Sequence, residues 1–349
     1  MDLSRTIKPK RILCLGGSLN QTTILHKISS SLPEAECTFS PFFAEGFPRY
    51  LLNAGLLEHT IMGGAHRRAT MQYIKDNKLP LDEGGRWGPY DLVITCTDLF
   101  MQPSLQYSRI LLVQEGITEA EGFAYWLVKW LGFPRVIANT AATGLSDRYE
   151  YFCVASPGYR SLFIQKGVKA RKIKVTGIPN FDQAVSYRIN QFPHKNYVLA
   201  ATSSIRETFG HDDRKAFLEN VKRIAGKRKV IFKLHPNEDF ERAEMEIRRY
   251  FPDELIYRDG NLHEMIANCD VLIAQVTSAV YTAAALGKEI HASIPESTIR
   301  ELMPLQNGGT SAARIAEVCR RLLRTSPVPD NRPEKAPGWS MLFNWLGGN

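Results

Sequence analysis

The residues from Lys229 to His291 decide the fold of this chain. They read KVIFKLHPNE (229–238), an amphipathic segment (239–250), ELIY (254–257), NLHEMIANC (261–269), DVLIAQ (270–275) and TSAVYTAAALGKEIH (277–291). Continuous apolar runs of four to six residues alternate here with amphipathic segments. That alternation is typical of parallel β-strands joined by crossover helices. The stretch therefore predicts an α/β domain built on a parallel sheet.

Polar side chains follow two of these predicted strands. Lys233, His235 and Asn237 come at the end of one strand, and Thr277 and Ser278 follow another and open a helix. Parallel sheets bind ligands beyond the carboxyl ends of their strands, and a helix start favours an anion. Each signal alone also fits a helix cap or a His-Pro turn. Their joint position on one sheet edge favours a phosphorylated ligand.

A third polar group follows the predicted strand YVLAA (197–201) and consists of Thr202, Ser203, Ser204 and Arg206. The guanidinium of Arg206 is able to bind a phosphate through two hydrogen bonds. The alternative for Arg206 is a salt bridge to Asp212 or Asp213.

Length and composition limit the class of protein. The chain has 349 residues, enough for two domains, and 44% of them are apolar, as in globular proteins. Its start lacks the apolar core of a signal peptide, and no run is long enough to cross a bilayer. Scattered cysteines without a CxxC motif predict reduced thiols in a cytoplasmic protein. The net charge of +8 suits an anionic ligand, an anionic membrane or nucleic acid equally well.

The first half of the chain begins with RILCLGGSLNQTTILHKI (11–28), which predicts a strand, a glycine turn and a helix. Gly16 and Gly17 allow a close approach to the backbone, and Ser18 or Asn20 is suited to cap the helix. The GGS turn is neither the full dinucleotide-binding fingerprint nor a P-loop. It fits a loop that contacts an acceptor or a sugar, and it equally fits a tight turn.

Two carboxylates follow successive predicted strands of the first half. DLVITCTD (91–98) ends at Asp98, and RILLVQEG (109–116) brings Glu115 to the same expected edge. A carboxylate there is suited to act as a general base or to hold a sugar hydroxyl. Asp98 fits a helix cap equally well. For Glu115 the functional interpretation is favoured, because Thr118 is a better cap.

The best domain boundary is the Pro/Gly break from Thr176 to Asn180. We therefore expect an N-terminal Rossmann-like acceptor domain at 1–180 and a C-terminal Rossmann-like nucleotide-donor domain at 181–325. The remaining segment, 326–349, is rich in proline and ends in an amphipathic stretch with Trp339 and Trp345. We expect this tail to pack on the N-terminal domain, and contact with a membrane interface is the alternative.

Several short motifs resemble those of the GT-B superfamily, whose members have two Rossmann-like parallel-sheet domains facing across a cleft. SIRETFG (204–210), VTGIPNFD (175–182) and HPNE (235–238) resemble motifs of the non-hydrolysing UDP-sugar 2-epimerases. By that resemblance Asp98 and Glu115 are the catalytic carboxylates. The chain departs from the epimerases at Ser204, where they have a histidine, and at Tyr281 and Thr282, where they have glutamates.

The sequence also resembles the capsule-type glycosyltransferases and the CDP-glycerol glycerophosphotransferases. KLHP (233–236) is followed some forty residues later by Thr277 and Ser278, and TGIPNFD (176–182) is similar to their TGxPRFD. This resemblance implies that His235, Thr277 and Ser278 bind the donor phosphate. Lys233, Arg206 and Ser204 would complete that site.

The sequence thus predicts a GT-B glycosyltransferase that moves a sugar from a CMP-, CDP- or UDP-linked donor to a glycan or lipid-linked hydroxyl acceptor. No DxD motif is present, so we expect neither a metal nor another cofactor. Surface polysaccharide synthesis in the cytoplasm, at the inner face of the membrane if the tail binds there, is the expected setting. Alternatives are an epimerase, a CDP-dependent polyol-phosphate transferase and a non-catalytic nucleotide-sugar-binding protein. Nucleic-acid binding is not expected, because the basic residues are dispersed.

Overall fold

The computed structural model of the chain describes residues 8–45, 50, 64–99, 102–105, 108–118, 121–131, 135–203, 206, 212–236, 238–275 and 277–325. These residues form two compact units. The first unit runs to Asp182 and resumes at Asn307, and the second unit is Gln183–Gln306.

The strands in the described residues are short, and those in the middle of each sheet are buried along their whole length. In chain order they are β1 (Lys10–Gly16), β2 (Ala35–Pro41), β3 (Leu92–Thr95), β4 (Ile110–Val113), β5 (Tyr151–Val154), β6 (Ile173–Val175), β7 (Val198–Ala201), β8 (Val230–Lys233), β9 (Leu255–Tyr257), β10 (Val271–Ala274) and β11 (Glu289–His291).

The helices of the described residues alternate with these strands. They are α1 (Leu19–Ser30), α2 (Gly64–Asp76), α3 (Phe123–Leu131), α4 (Pro157–Lys166), α5 (Arg214–Ala225), α6 (Phe240–Arg248), α7 (Leu262–Asn268), α8 (Ala279–Ala285), α9 (Glu296–Leu302) and α10 (Ser311–Arg324).

Each unit contains one parallel sheet. The first sheet has the order β2-β1-β3-β4-β5-β6, and the second has the order β11-β10-β7-β8-β9. Every pair of neighbouring strands is parallel. The central strands β7, β8 and β10 are buried along their whole length, as continuous apolar runs predict for a sheet covered on both faces. The prediction of α/β architecture with two parallel-sheet domains is confirmed.

The last described helix, α10, belongs to the first unit, whereas the sequence predicts a second domain that extends to residue 325. Arg320 pairs with Glu34 at 2.7 Å, and the guanidinium of Arg109 donates to the carbonyl of Thr325 at 2.7 Å. These contacts hold the helix against the first sheet. The tail from 326 onward lies outside the described residues, so its expected packing remains a prediction.

The cysteines and the helices can be compared with what the sequence predicts. All six cysteines are free, and five of them are buried. Among the described helices, none combines the length and apolar character required to cross a bilayer.

Candidate functional site

The carboxyl edge of the second sheet brings together the three polar groups that the sequence singled out. Strand β7 lies between β10 and β8, and Ala201 is level with Ala274 on one side and Lys233 on the other. The residues that follow these strands, such as Thr202 and His235, therefore emerge side by side.

A buried glutamate joins the ends of β7 and β8. The backbone N–H of His235 donates to Glu238 Oε2 at 2.9 Å and to Thr202 Oγ1 at 3.2 Å. The hydroxyl of Thr202 in turn donates to Glu238. Glu238 is 7% exposed, so this network fixes the backbone of His235. Glu238 is a site residue that was not predicted from the sequence, although it belongs to the HPNE motif (235–238).

A network of buried charges continues from Glu238 toward β10. Arg214 pairs with Glu238 and lies 3.2 Å from Asp212 Oδ2. The amide of Gln275 donates to Asp212 Oδ1 at 2.5 Å and accepts from the hydroxyl of Ser203. Because the Asp212 side chain is fully buried, these partners compensate its desolvation.

Arg206 is occupied by carboxylates of its own unit. Its Nη1 and Nη2 donate to the two oxygens of Glu246 at 2.9 and 2.8 Å, and its Nε lies 3.4 Å from Asp212. These hydrogen bonds hold the pKa of Glu246 below its usual range. The salt-bridge alternative describes this arginine, and its predicted phosphate contact has no support from this geometry.

Lys233 is likewise committed to the protein interior. It is 5% exposed, and its Nζ donates to the carbonyls of Leu234 and Arg258, each at 2.8 Å. Burial lowers the pKa of its ammonium group. The predicted contact of Lys233 with phosphate therefore also lacks support from this geometry.

Thr277 and Ser278 are partly exposed and immediately precede α8. Thr277 Oγ1 accepts from the N–H of Ala279 at 3.3 Å, which leaves its own O–H to donate. Within the described residues, the Ser278 hydroxyl does not cap the helix. The predicted phosphate ligands Ser204 and Asn237 lie outside the described residues.

A cavity of about 530 Å³ opens beside this edge of the second sheet. It is lined by Gln275 after β10, by the first turns of α5 from Ala216 to Asn220, and by the loop from Ala292 to Glu296 after β11. Its volume is within the usual range of roughly 300 to 1,000 Å³ for small-ligand sites.

In the first unit, Glu115 is held by three side chains from the start of α1. Its Oε1 accepts from Ser18 Oγ and from Asn20 Nδ2, both at 3.1 Å, and its Oε2 accepts from Gln21 Nε2 at 2.7 Å. Glu115 is partly exposed. The glycine turn and the carboxylate, which the sequence predicted separately, therefore form one cluster.

The glycine turn fits closely against α1. A Cβ added at Gly16 would lie 2.9 Å from Thr22 Oγ1, so only glycine is accommodated there. Ser18 caps the helix by accepting from the N–H of Gln21 at 3.2 Å. The side-chain oxygen of Gln21 accepts from the N–H of Gly17 at 2.8 Å. Gln21 was not predicted from the sequence, since an amide in a first helical turn is not a motif.

The carboxylate of Asp98 is used to bind backbone N–H groups. It is fully buried, and its two oxygens accept from the N–H groups of Gly144 at 2.9 Å and Ser146 at 3.1 Å. A general base must reach its substrate. The carboxylate instead stabilises the 144–146 loop through its hydrogen bonds. This geometry does not support Asp98 as a general base. It also differs from the helix-cap alternative, because the N–H groups that Asp98 binds belong to a loop.

The positions where the epimerases carry glutamates are buried. Tyr281 and Thr282 in α8 are each 3% exposed, and Thr282 Oγ1 lies 2.8 Å from Nδ1 of His263.

Across the part of the chain that the structure describes, no group of three or more His, Cys, Asp or Glu side chains is arranged to hold a metal ion.

Solved structures show what the chain is similar to. The UDP-GlcNAc 2-epimerase of Neisseria meningitidis bound to UDP-GlcNAc matches with a TM-score of 0.53 at 10% identity, covering 89% of this chain and 100% of that one. A second UDP-N-acetylglucosamine 2-epimerase matches with a TM-score of 0.52 at 12% identity, covering 93% and 99%. HepE of Anabaena in complex with UDP matches with a TM-score of 0.49 at 12% identity, covering 90% of this chain and 95% of that one.

No protein-family model matches the chain, and no curated protein matches it either. At these identities the two epimerase matches are likenesses of fold. Together with the two parallel sheets, they show that this chain has the GT-B fold, with two Rossmann-like domains.

Proposed function

We propose that this chain is a glycosyltransferase that moves a sugar from a nucleotide-activated donor to a hydroxyl acceptor. In this proposal the second unit binds the donor and the first unit binds the acceptor. The observation that carries it is the partly exposed carboxylate of Glu115, fixed by Ser18, Asn20 and Gln21 at the carboxyl edge of the first sheet.

The hydrogen bonds of Glu115 leave room for one more partner. A carboxylate offers about four lone-pair positions, and within the described residues two are used on Oε1 and one on Oε2. The remaining position on Oε2 suits the proton of an acceptor hydroxyl. As Glu115 takes that proton, the acceptor oxygen bonds to the anomeric carbon, and the bond from that carbon to the donor phosphate breaks. General-base catalysis of this kind contributes roughly 10²- to 10⁴-fold.

The donor would bind at the carboxyl edge of the second sheet. The hydroxyls of Thr277 and Ser278 and the side chain of His235 are our proposed phosphate ligands, because Arg206 and Lys233 are engaged within the protein. The cavity beside Gln275 has room for the nucleoside or the sugar. Surface glycan synthesis is the process that this activity fits.

A sugar 2-epimerase is the second candidate, because two of the solved structures that this chain resembles have that name. The buried Tyr281 and Thr282 argue against it, since neither provides a carboxylate for ribose hydroxyls. A CDP-dependent transferase of a polyol phosphate would differ from the main proposal in the bond that breaks: the acceptor oxygen would bond to the phosphorus that carries the polyol, the P–O bond of the diphosphate bridge would break, and CMP would leave.

A binding screen followed by a turnover assay tests this proposal. CMP, CDP, UDP and GDP are added at saturation, and the melting temperature is recorded; at least one of them should raise it. The matching nucleotide sugar is then incubated with and without a hydroxyl acceptor. Nucleotide release that requires the acceptor supports a transferase. If no nucleotide stabilises the protein, the donor assignment is wrong, and conversion of the sugar without an acceptor would identify an epimerase.

A further inference from the structure

Helix α3 (Phe123–Leu131, FAYWLVKWL) presents large apolar side chains to solvent. Trp126 is 42% exposed, Trp130 is 73% exposed and Leu131 is 66% exposed. Trp126 and Trp130 are four residues apart and therefore lie on the same side of the helix. Lys129 is exposed at the edge of this side, next to Tyr125, and Leu131 is the last residue of the helix; we call Trp126, Lys129, Trp130 and Leu131 together the outer face of α3.

The opposite side of the helix is anchored in the first unit. Tyr125 and Val128 are 1% and 5% exposed. The ammonium group of Lys166 lies 5.3 Å from the centre of the Tyr125 ring and donates to the carbonyl of Ala141 at 3.0 Å. Because this inner side is fixed, the outer face has a defined orientation.

Lys129 gives the outer face a positive charge. Its Nζ lies 5.4 Å from the centre of the Trp126 ring and 5.5 Å from that of Tyr125. An ammonium group over an indole, next to a further indole and a leucine, is the composition of helices that lie in a membrane interface. The chain also carries a net charge of +8, which complements an anionic surface.

Val185 and Ile189 of the second unit are also exposed and four residues apart, but neither is aromatic and neither has a lysine ammonium group over it. The other exposed apolar side chains of the described residues, Leu19, Tyr50, Trp87 and Met245, are separate from one another in sequence. Single exposed apolar residues are normal on protein surfaces, whereas adjacent ones mark an interaction site. Leu131 and Lys129 favour a bilayer over a glycan, because sugar rings stack on aromatic faces and gain little from either.

We propose that the outer face of α3 binds the headgroup region of an anionic phospholipid bilayer. The indoles and Leu131 enter the boundary between headgroups and acyl chains, and Lys129 pairs with lipid phosphate. This surface is distinct from the Trp-bearing tail that the sequence analysis considered. The binding itself does not rest on the proposed function; if both hold, the unit that carries Glu115 works at a surface where lipid-linked acceptors reside.

Vesicle flotation tests the proposal with the full chain. Vesicles of phosphatidylcholine alone are compared with vesicles that also contain phosphatidylglycerol. We expect the wild type to bind the anionic vesicles. The double variant Trp130→Ser, Leu131→Ser should bind them at least about tenfold more weakly, because two large apolar side chains no longer leave water for the interface. Lys129→Glu should reduce binding to the anionic vesicles specifically.

Trp87→Ser is the matched control, because Trp87 is an exposed tryptophan of the same unit, 56% exposed. It should bind vesicles as the wild type does, and melting temperatures should verify that all variants fold. Equal binding by the double variant and the wild type would overturn the proposal and point to the tail instead. Absence of vesicle binding by the wild type would also overturn it. So would analytical ultracentrifugation that shows a dimer for the wild type and a monomer for the double variant, because that result would identify the face as an interface between copies of the chain.

Discussion

The side-chain amide of Gln21 donates a hydrogen bond of 2.7 Å to the carboxylate of Glu115, across 94 residues of sequence. The other end of the same amide accepts from the N–H of Gly17 at 2.8 Å. Gln21 therefore ties the glycine turn after β1 to the carboxylate after β4, and it is 3% exposed. We infer that it orients the proposed base.

Replacing Gln21 tests this positioning role. Gln21→Leu removes both hydrogen bonds at similar volume, so Glu115 should lose its fixed orientation. We expect kcat to fall by about tenfold or more, since misplacing a reacting group by about 1 Å costs up to about 10²-fold. KM for the donor should stay unchanged. Gln72→Leu, at an exposed position of α2, is the control. An unchanged kcat in a folded Gln21→Leu protein would refute the role.

The proposed phosphate ligands give a second prediction. His235→Ala and Ser278→Ala should each weaken nucleotide binding by about 10- to 10²-fold, as expected when a hydrogen bond to a charged group worth about 1.5 to 3 kcal/mol is lost. Calorimetric titration with the nucleotide found in the screen measures the change. Ser186→Ala is the matched control, because Ser186 is exposed and its hydroxyl bonds only locally to Gln183. Unchanged affinity in both variants would remove these residues from the site.

The pair of Arg206 and Glu246 predicts a stability effect rather than a binding effect. Glu246→Gln should lower the free energy of unfolding by about 1 to 3 kcal/mol, because the guanidinium loses a charged partner. Glu244→Gln on the same helix is the control; Glu244 forms a more exposed pair with Arg248 at 3.4 Å and should cost less. Nucleotide affinity should not change in either variant.

The contribution of Glu246 should depend on pH with a defined sign. Its pKa is lowered in the folded state by the hydrogen bonds from Arg206, so the folded protein binds its proton less readily than the unfolded chain does. The stabilisation is fully present above the ordinary pKa of about 4.3 and is lost as pH falls through the lowered value. Urea unfolding near neutral pH and in acid should therefore show the gap between wild type and Glu246→Gln closing in acid. A gap that widens in acid would contradict this origin.

Asp182 holds the start of α10 in the first unit. Its Oδ2 accepts from the N–H of Ser311 at 2.7 Å, its carbonyl accepts from the N–H of Gly308 at 2.8 Å, and it is 1% exposed. Asp182→Ala should lower the free energy of unfolding by about 1 to 3 kcal/mol, because a buried helix start loses its acceptor. Asp253→Ala, at an exposed position, should have little effect. Equal stability of the two variants in chemical denaturation would count against this role.

The parallel sheets were predictable because buried parallel strands are continuous apolar runs, and the runs at 198–201, 230–233 and 271–274 are of that kind. That helix α10 packs in the first unit could not be predicted from the sequence. An amphipathic helix shows that one of its faces is buried, but it does not show which sheet covers that face. The contacts of Arg320 with Glu34 and of Asp182 with Ser311 decide it.

The location of the candidate site could be predicted from the sequence, but the roles of several of its residues could not. Strand ends specify which residues emerge at an edge, and Glu115 lies beside the glycine turn for that reason. Partners distant in sequence decide what each charge does there. Arg206 meets Glu246, 40 residues away, and Asp98 meets the backbone of the 144–146 loop. Neither partner carries a sequence signal, since one is a helix-surface glutamate and the other is a pair of N–H groups.

The measurement that tests the central claim most directly compares nucleotide binding and turnover in Glu115→Gln. The amide keeps the volume of the side chain but is unable to take the acceptor's proton. We expect nucleotide affinity equal to that of the wild type and a loss of turnover of about 10²-fold or more. Glu36→Gln, an exposed position on β2, should retain both. Full turnover by a folded Glu115→Gln protein would contradict the account.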